Sequence, residues 1–170
     1  YGLTTVYGST TTLNATLVTA HGQNLAGLAA GATYHYRVRS TNGVGLLATS
    51  ADATFTTIAL PVISAVSSSG LTGTAATIGW TTDQTADSQV EYGLTTAYGT
   101  TTTLNAALVT THSQTLTGLT TGTTYHYHVR STNSVGLLAT SADATFTTVA
   151  VPVISAVSAS GLTGTAATIG

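Results

Sequence analysis

Apolar and polar residues alternate along most of the chain in short runs bounded by glycine. No run keeps the three-to-four spacing of an amphipathic helix. Between Thr74 and Thr82, Ala76, Ile78 and Trp80 fall on one face of an extended segment, and Thr77, Gly79 and Thr81 on the other. Between Thr123 and Ser131, Tyr125, Tyr127 and Val129 share a face, and His126, His128 and Arg130 take the opposite one. Five more segments rich in Thr, Val, Ile or Tyr read as strands: Val62–Val66, Ser88–Tyr92, Ala97–Thr103, Leu108–Thr117 and Leu137–Thr148. Pro61 precedes the first strand, where its missing N–H is tolerated, and Gly70 and Gly73 mark a turn. Asp83 to Asp87 reads as the turn between the second and third strands. Seven short strands in about 90 residues predict an all-β fold, a β-sandwich.

The pattern occurs nearly twice. Tyr1-Gly2-Leu3-Thr4-Thr5 recurs as Tyr92-Gly93-Leu94-Thr95-Thr96, an offset of 91, and residues 1–79 align without a gap to 92–170 with 64 of 79 positions identical. Only residues 80–91 occur once. The expected organisation is therefore tandem: residues 1–57 as the C-terminal part of one sandwich, 61–148 as a complete sandwich, and 152–170 as the N-terminal strands of a further one. Ile58-Ala59-Leu60, ahead of Pro61, is too short and too apolar for a flexible Gly/Ser tether, which predicts restricted orientations between repeats. At about 3.3 Å per strand residue, each module would be roughly 25–35 Å long, and a stack of them a semi-rigid rod.

Three segments resemble the fibronectin type III family. Trp80 is similar to the core tryptophan of its second strand. The run from Leu116 through Gly118, Leu119 and Gly122 to Tyr125 and Tyr127 resembles the family's approach to its sixth strand, with a leucine, a turn glycine and a corner tyrosine. The first copy carries the same run as Leu25 to Val38. Where a proline is usual before the turn glycine, this chain has Thr121, or Ala30 in the first copy. Ser88-Gln89-Val90-Glu91-Tyr92-Gly93, followed by Tyr98-Gly99, resembles the bacterial and archaeal branch, which includes modules preceding purple-acid-phosphatase-type enzymes and modules of long surface proteins. The resemblance implies tandem fibronectin type III-like seven-stranded sandwiches, with Trp80, Leu119, Tyr125, Tyr127 and Phe146 in the core. It implies no activity, because one such fold serves many functions.

Composition narrows the function. Charged residues make up 5% of the chain, against about 25% in a usual soluble domain. There is no Lys, Cys or Met, while Thr occurs 41 times. Without Cys there is no disulfide framework, thiolate metal site or cysteine nucleophile. Three Arg and a net charge of −2 leave no basic patch for nucleic acid. No apolar run approaches the roughly 18 residues of a membrane-spanning helix. The chain shows neither a signal peptide nor an initiator Met, which reads as a processed chain or a fragment.

Candidate chemistry is sparse. Asp83 and Asp87 lie close enough for a calcium ion, but such an ion takes about six or more oxygens, and the plain reading is turn residues bonded to backbone. His126 and His128, two apart on a strand, have a spacing that suits zinc, but the first copy has His35 and Arg37 there, and the plain reading is a solvated strand face. His21 and His112 share the parity of Leu25 and Leu116 and read as structural histidines at the core margin. Tyr7 and Tyr98 are the candidates for exposed rings. No Gly-x-Ser-x-Gly elbow, phosphate-binding loop or phosphatase metal-ligand motif occurs, so neither a catalytic residue nor a cofactor is assigned. Asn14-Ala15-Thr16 is a glycosylation sequon that residue 107, an Ala, removes from the second copy.

The outward positions are Thr, Ser, Asn and Gln, so the edge strands lack the Lys that commonly keeps edges apart. Arg37, Arg39 and Arg130 are the trypsin-type sites, and so few of them, with Thr richness and no Cys, point to an extracellular or cell-surface protein. The ends fall inside repeats. They read either as a window on a longer array or as strands completed by another copy, with the array preferred because the missing tryptophan of an incomplete junction costs about 3–5 kcal/mol. The expected function is a non-catalytic structural module of an extracellular fibre or surface filament, with neighbouring repeats or copies of itself as head-to-tail partners. An adhesive or carbohydrate-binding repeat and an accessory module of a secreted hydrolase are the alternatives.

Overall fold

Long alternating segments need a neighbour to hold them extended, and the two halves of the chain differ in whether one is supplied. The computed structural model describes residues 1–170, all strand, turn and irregular chain without a helix. It divides into two units, Tyr1–Pro61 and Val62–Gly170.

The first unit holds four short strands: β1 (Thr33–Tyr36), β2 (Arg39–Thr41), β3 (Leu47–Thr49) and β4 (Ala53–Thr56). β1 pairs antiparallel with β4, Tyr34 opposite Phe55, and β2 with β3, Ser40 opposite Ala48. Asn42 closes the second pair: its side-chain oxygen accepts the N–H groups of Val44 and Leu46 at 3.1 and 2.9 Å. Tyr34 stacks on Phe55 with ring centroids 5.6 Å apart. Residues 8–32 contain no strand.

The second unit contains β5 (Ile63–Ser69), β6 (Ala75–Gly93), β7 (Thr100–Thr101), β8 (Asn105–Thr117), β9 (Thr124–Thr132), β10 (Leu138–Thr140) and β11 (Ala144–Thr147). β6 serves two layers. Its first half pairs with β5 and β8, Trp80 opposite His112, and its second half pairs with β7 and β9, Val90 opposite Val129. β10 and β11 both extend the second layer from β9. Ile78, Trp80, Val90, Leu116, Leu119, Tyr125, Tyr127, Val129 and Phe146 form one buried cluster, with Ile63, Val66, Tyr92 and Ala144 packed at its margin. The indole N–H of Trp80 donates to Ser131 Oγ at 2.9 Å, which satisfies its polar atom inside the core. The Tyr125 hydroxyl accepts the N–H of Thr120 at 3.0 Å, tying strand β9 to the loop before it.

Four expectations need correction. The turn expected at 83–87 does not interrupt the chain: β6 runs through it. Asp83 accepts the N–H of Val62 at 2.7 Å and Asp87 that of Thr132 at 2.6 Å, so both carboxylates tie the crossing to other strands instead of folding onto their own turn. The strand expected at Ala97–Thr103 shrinks to Thr100–Thr101, because residues 94–98 form a turn in which Tyr98 N–H bonds Thr95 O. Leu137–Thr148 splits into β10 and β11 at Ser141, whose side chain accepts the Val129 N–H at 3.1 Å. The first strand runs on to Ser69, past a bulge between Ser64 and Ser67 where Ala65 adopts a φ of 53°.

Residues 151–170 are exposed throughout and contain β12 (Ala159–Ser160) paired with β13 (Thr168–Ile169), Ala159 opposite Ile169. That register, moved by the repeat offset, is the Ser68–Ile78 pairing of β5 with β6.

Candidate functional site

The alternation of β9 that sends Tyr125, Tyr127 and Val129 into the core sends His126, His128 and Arg130 to the outer face. Glu91 lies directly across from His128 on β6. His128 Nε2 is 2.8 Å from Glu91 Oε2, and Arg130 donates through Nη1 to Glu91 Oε1. Just ahead of β11, Asp143 holds His126, Nδ1 to Oδ2 at 2.8 Å. Tyr98 joins the two pairs: its hydroxyl donates to Asp143 Oδ1 at 3.1 Å, and its ring lies 4.2 Å from that of His128. Six side chains thus form one polar chain across the outer sheet.

A backbone device delivers Tyr98. A Cβ on Gly93 would lie 1.5 Å from the Tyr98 carbonyl oxygen, so only glycine admits the turn that folds Tyr98 back over β6. Tyr98 itself has a φ of 56°, and Gly99 follows at 89°. The first copy builds the same device from Gly2, Tyr7 and Gly8. There Tyr7 donates to Asp52 at 3.0 Å and Asp52 meets His35 at 2.8 Å. Arg37 replaces His128 and places its guanidinium 4.5 Å from the Tyr7 ring centroid, a cation–π contact in place of the ring pair.

The electrostatics follow from these contacts. The hydrogen bond from His126 holds the Asp143 carboxyl below its ordinary pKa, and His35 does the same for Asp52. Burial pushes Glu91 up, but hydrogen bonds from His128 and Arg130 outweigh it and leave the group lowered. Burial first, then the bond to Asp143, raises the Tyr98 phenol. Each carboxylate is shared by two donors, so the chain is a set of mutually satisfied groups that braces the outer sheet.

The other sequence candidates fall elsewhere. His112 is buried, stacked on Trp80 with centroids 4.9 Å apart, and bonded to Thr82 and Ser88 at 2.8 and 2.7 Å. Burial lowers its pKa, with Asp87 acting weakly in the opposite sense. His21, expected at the same margin, is exposed. His126 and His128 face separate carboxylates, and no group of three or more His, Asp or Glu side chains is arranged to hold a metal ion. Tyr7 and Tyr98 are half-buried rather than exposed, because the glycine turn lays them on the sheet. Asn14 is exposed, its oxygen accepting the Thr16 N–H at 3.0 Å. Trp80, Leu119, Tyr125, Tyr127 and Phe146 are buried. Sequence reasoning missed the Glu91 and Asp143 links. The recurrent spacing from Tyr-Gly to a second Tyr-Gly was the available signal.

A strand shared between two β layers, with a tyrosine bonded to the backbone five residues upstream, places the second unit among fibronectin type III-like β-sandwiches. Residues 61–148 match the family described as "Purple acid Phosphatase, N-terminal domain", and the chain belongs to that family. It is also similar to Endoglucanase B of Cellulomonas fimi, 40% identical over 167 residues, covering 90% of this chain and 15% of that protein. The chain thus spans under a sixth of that relative's length. Two solved fibronectin arrays are similar at lower identity. The FN1–FN3 domains of chicken CNTN1 are 20% identical with a TM-score of 0.43, over 72% of this chain and 45% of theirs. The central fibronectin-III array of RIM-binding protein is 23% identical with a TM-score of 0.42, over 78% of this chain and 51% of its own.

Proposed function

We propose that the chain is a non-catalytic accessory module of a secreted glycoside hydrolase, a sandwich that spaces or orients a catalytic domain on the same polypeptide. The observation that carries this reading is the 40% identity to Endoglucanase B, maintained over 90% of the chain. The satisfied polar chain on the outer sheet fits a structural role, since its carboxylates and imidazoles are bonded to one another. On this reading the module works outside the cell, with 61–148 as one repeat and 1–57 and 152–170 as parts of its neighbours.

The test is the native polypeptide, by intact mass and peptide sequencing. A glycoside hydrolase domain on the same polypeptide is expected, with no turnover of a soluble glucan by the 170 residues alone. A fibre subunit is the second reading, favoured by the 64 of 79 identical repeat positions. A polypeptide built only from repeats would replace the accessory module with that fibre.

A further inference from the structure

A surface of Thr, Ser, Asn and Gln offers few side chains that a modifying enzyme can address singly. Asn14 is one. Of the five asparagines, Asn14, Asn24, Asn42, Asn105 and Asn133, only Asn14 is followed two residues on by a hydroxyl residue, in Asn14-Ala15-Thr16. An Asn-x-Thr triplet on the surface of an exported protein is the acceptor signature of N-linked glycans.

The fold gives this triplet a usable shape. Asn14, Ala15 and Thr16 are exposed, and the Asn14 side-chain oxygen accepts the Thr16 N–H at 3.0 Å. That turn brings the Thr16 backbone back against the asparagine side chain. It engages the oxygen, so the amide nitrogen Nδ2 is not spent on the turn. The second copy holds the same turn, with Asn105 accepting the Ala107 N–H at 3.1 Å. There the surroundings are those of a finished sandwich. Asn105 opens β8, which pairs with β6, and residues 103–111 are all exposed. A bulky group at this corner therefore displaces no neighbouring strand, and the exposure belongs to the position in a complete repeat. Within the triplet one side chain distinguishes the copies: Thr16 in the first, Ala107 in the second.

We propose that Asn14 carries an N-linked glycan and that Asn105, in the same turn, carries none. In the transfer Nδ2 attacks the anomeric carbon of a sugar held on a polyprenyl phosphate. The C–N bond forms, the C–O bond to phosphate breaks, the phosphate leaves with the bonding electrons, and one amide proton is released. Nothing is oxidised or reduced. Thr16 supplies the hydroxyl that the transferase reads; donor and transferase come from the exporting cell. The glycan adds polar bulk to a chain in which charged residues make up 5%. The inference rests on export, which both readings of the function entail. Its readout is a single side chain, so its failure leaves either reading standing.

Peptide mass spectrometry of the native polypeptide tests it. Cleavage at Arg37 and Arg130 separates the two positions, since Asn14 lies upstream of Arg37 and Asn105 between the two arginines. A sugar mass is expected on Asn14 and on none of the other four asparagines. Two substitutions in the producing organism isolate the cause. Thr16→Ala should abolish the addition although Asn14 remains, and Ala107→Thr should create a new one on Asn105. Both side chains are exposed, so the circular dichroism should not change. A bare Asn14 in the native protein would overturn the proposal. So would an addition at Asn14 that survives Thr16→Ala, or sugar found on threonine hydroxyls alone. An Asn105 that stays bare in the folded Ala107→Thr chain would remove the shared turn as the basis of the assignment.

Discussion

Residues 14–26 and 105–117 are the same segment written twice, with eight of thirteen positions identical. The second forms the long strand β8, and the first contains no strand. By contrast, residues 33–56 and 124–147 fold alike: Tyr34 faces Phe55 as Tyr125 faces Phe146, and Ser40 faces Ala48 as Ser131 faces Ala139. The difference is the partner: within the first unit β1 and β4 have each other, while residues 14–26 have no counterpart of the first half of β6 beside them. β1 and β4 find each other within a few tens of residues, while β8 needs the first half of β6, whose Ala75–Thr81 segment supplies its backbone partners. Thr-rich segments of this kind carry strand propensity but little intrinsic drive, so pairing and burial decide.

The most severe way to break the comparison is to give the second copy the defect of the first. Trp80→Ala removes the centre of the buried cluster, the donor to Ser131 and the ring stacked on His112, and should cost about 3–5 kcal/mol of unfolding free energy. Urea titration followed by circular dichroism measures it. A loss below about 1 kcal/mol would mean that the core does not depend on the residues that occur only once. Leu116→Ala against Leu25→Ala is the next contrast. The first is buried and should lose about 2–5 kcal/mol. The second is half-buried and should lose clearly less, because solvent already reaches its side chain. Equal losses would mean that Leu25 is as well buried in solution as Leu116.

Gly93→Ala is a milder probe. Its Cβ collides with the Tyr98 carbonyl, so the turn must move, at about 1–3 kcal/mol by the same denaturation assay. The Tyr98 ring should leave His128, seen as changed ring chemical shifts for both. Acid has the smallest effect. Asp143, Asp52 and Glu91 have folded-state pKa values below their ordinary ones, so their contribution is present above the ordinary carboxylate range of about 4 and fades as pH falls through the lowered values. Stability should decline on acidification below about pH 4, and Asp143→Asn should flatten that decline for the second unit. Carboxyl chemical shifts against pH check the sign: Glu91, whose position has no counterpart in the first copy, should titrate below its ordinary value.

Much of this was legible in the sequence because period-two alternation reports directly on which side of a strand is buried. The faces read for Thr74–Thr82 and Thr123–Ser131 are those observed in β6 and β9. The continuous path of β6 was not legible. Asp83 and Asp87 look like turn residues until strands distant in sequence present the N–H groups of Val62 and Thr132 to them. The outer polar chain was half legible. His126 and His128 stood out by spacing, but their partner Glu91 comes from β6 and their partner Asp143 from the connection ahead of β11, and the turn that carries Tyr98 depends on a steric fact about Gly93.

By itself, then, the sequence determined the repeat, the all-β class, the inward faces and the tyrosine and tryptophan positions of the core, because these follow from local alternation and composition. The tertiary structure alone decided that one copy of a segment becomes strand β8 while the other stays without a strand, that His112 is buried while His21 is exposed, and that two imidazoles of β9 bind carboxylates from other segments of the chain. Those outcomes depend on which backbone lies alongside, a property of the assembled layers that no short stretch of residues carries.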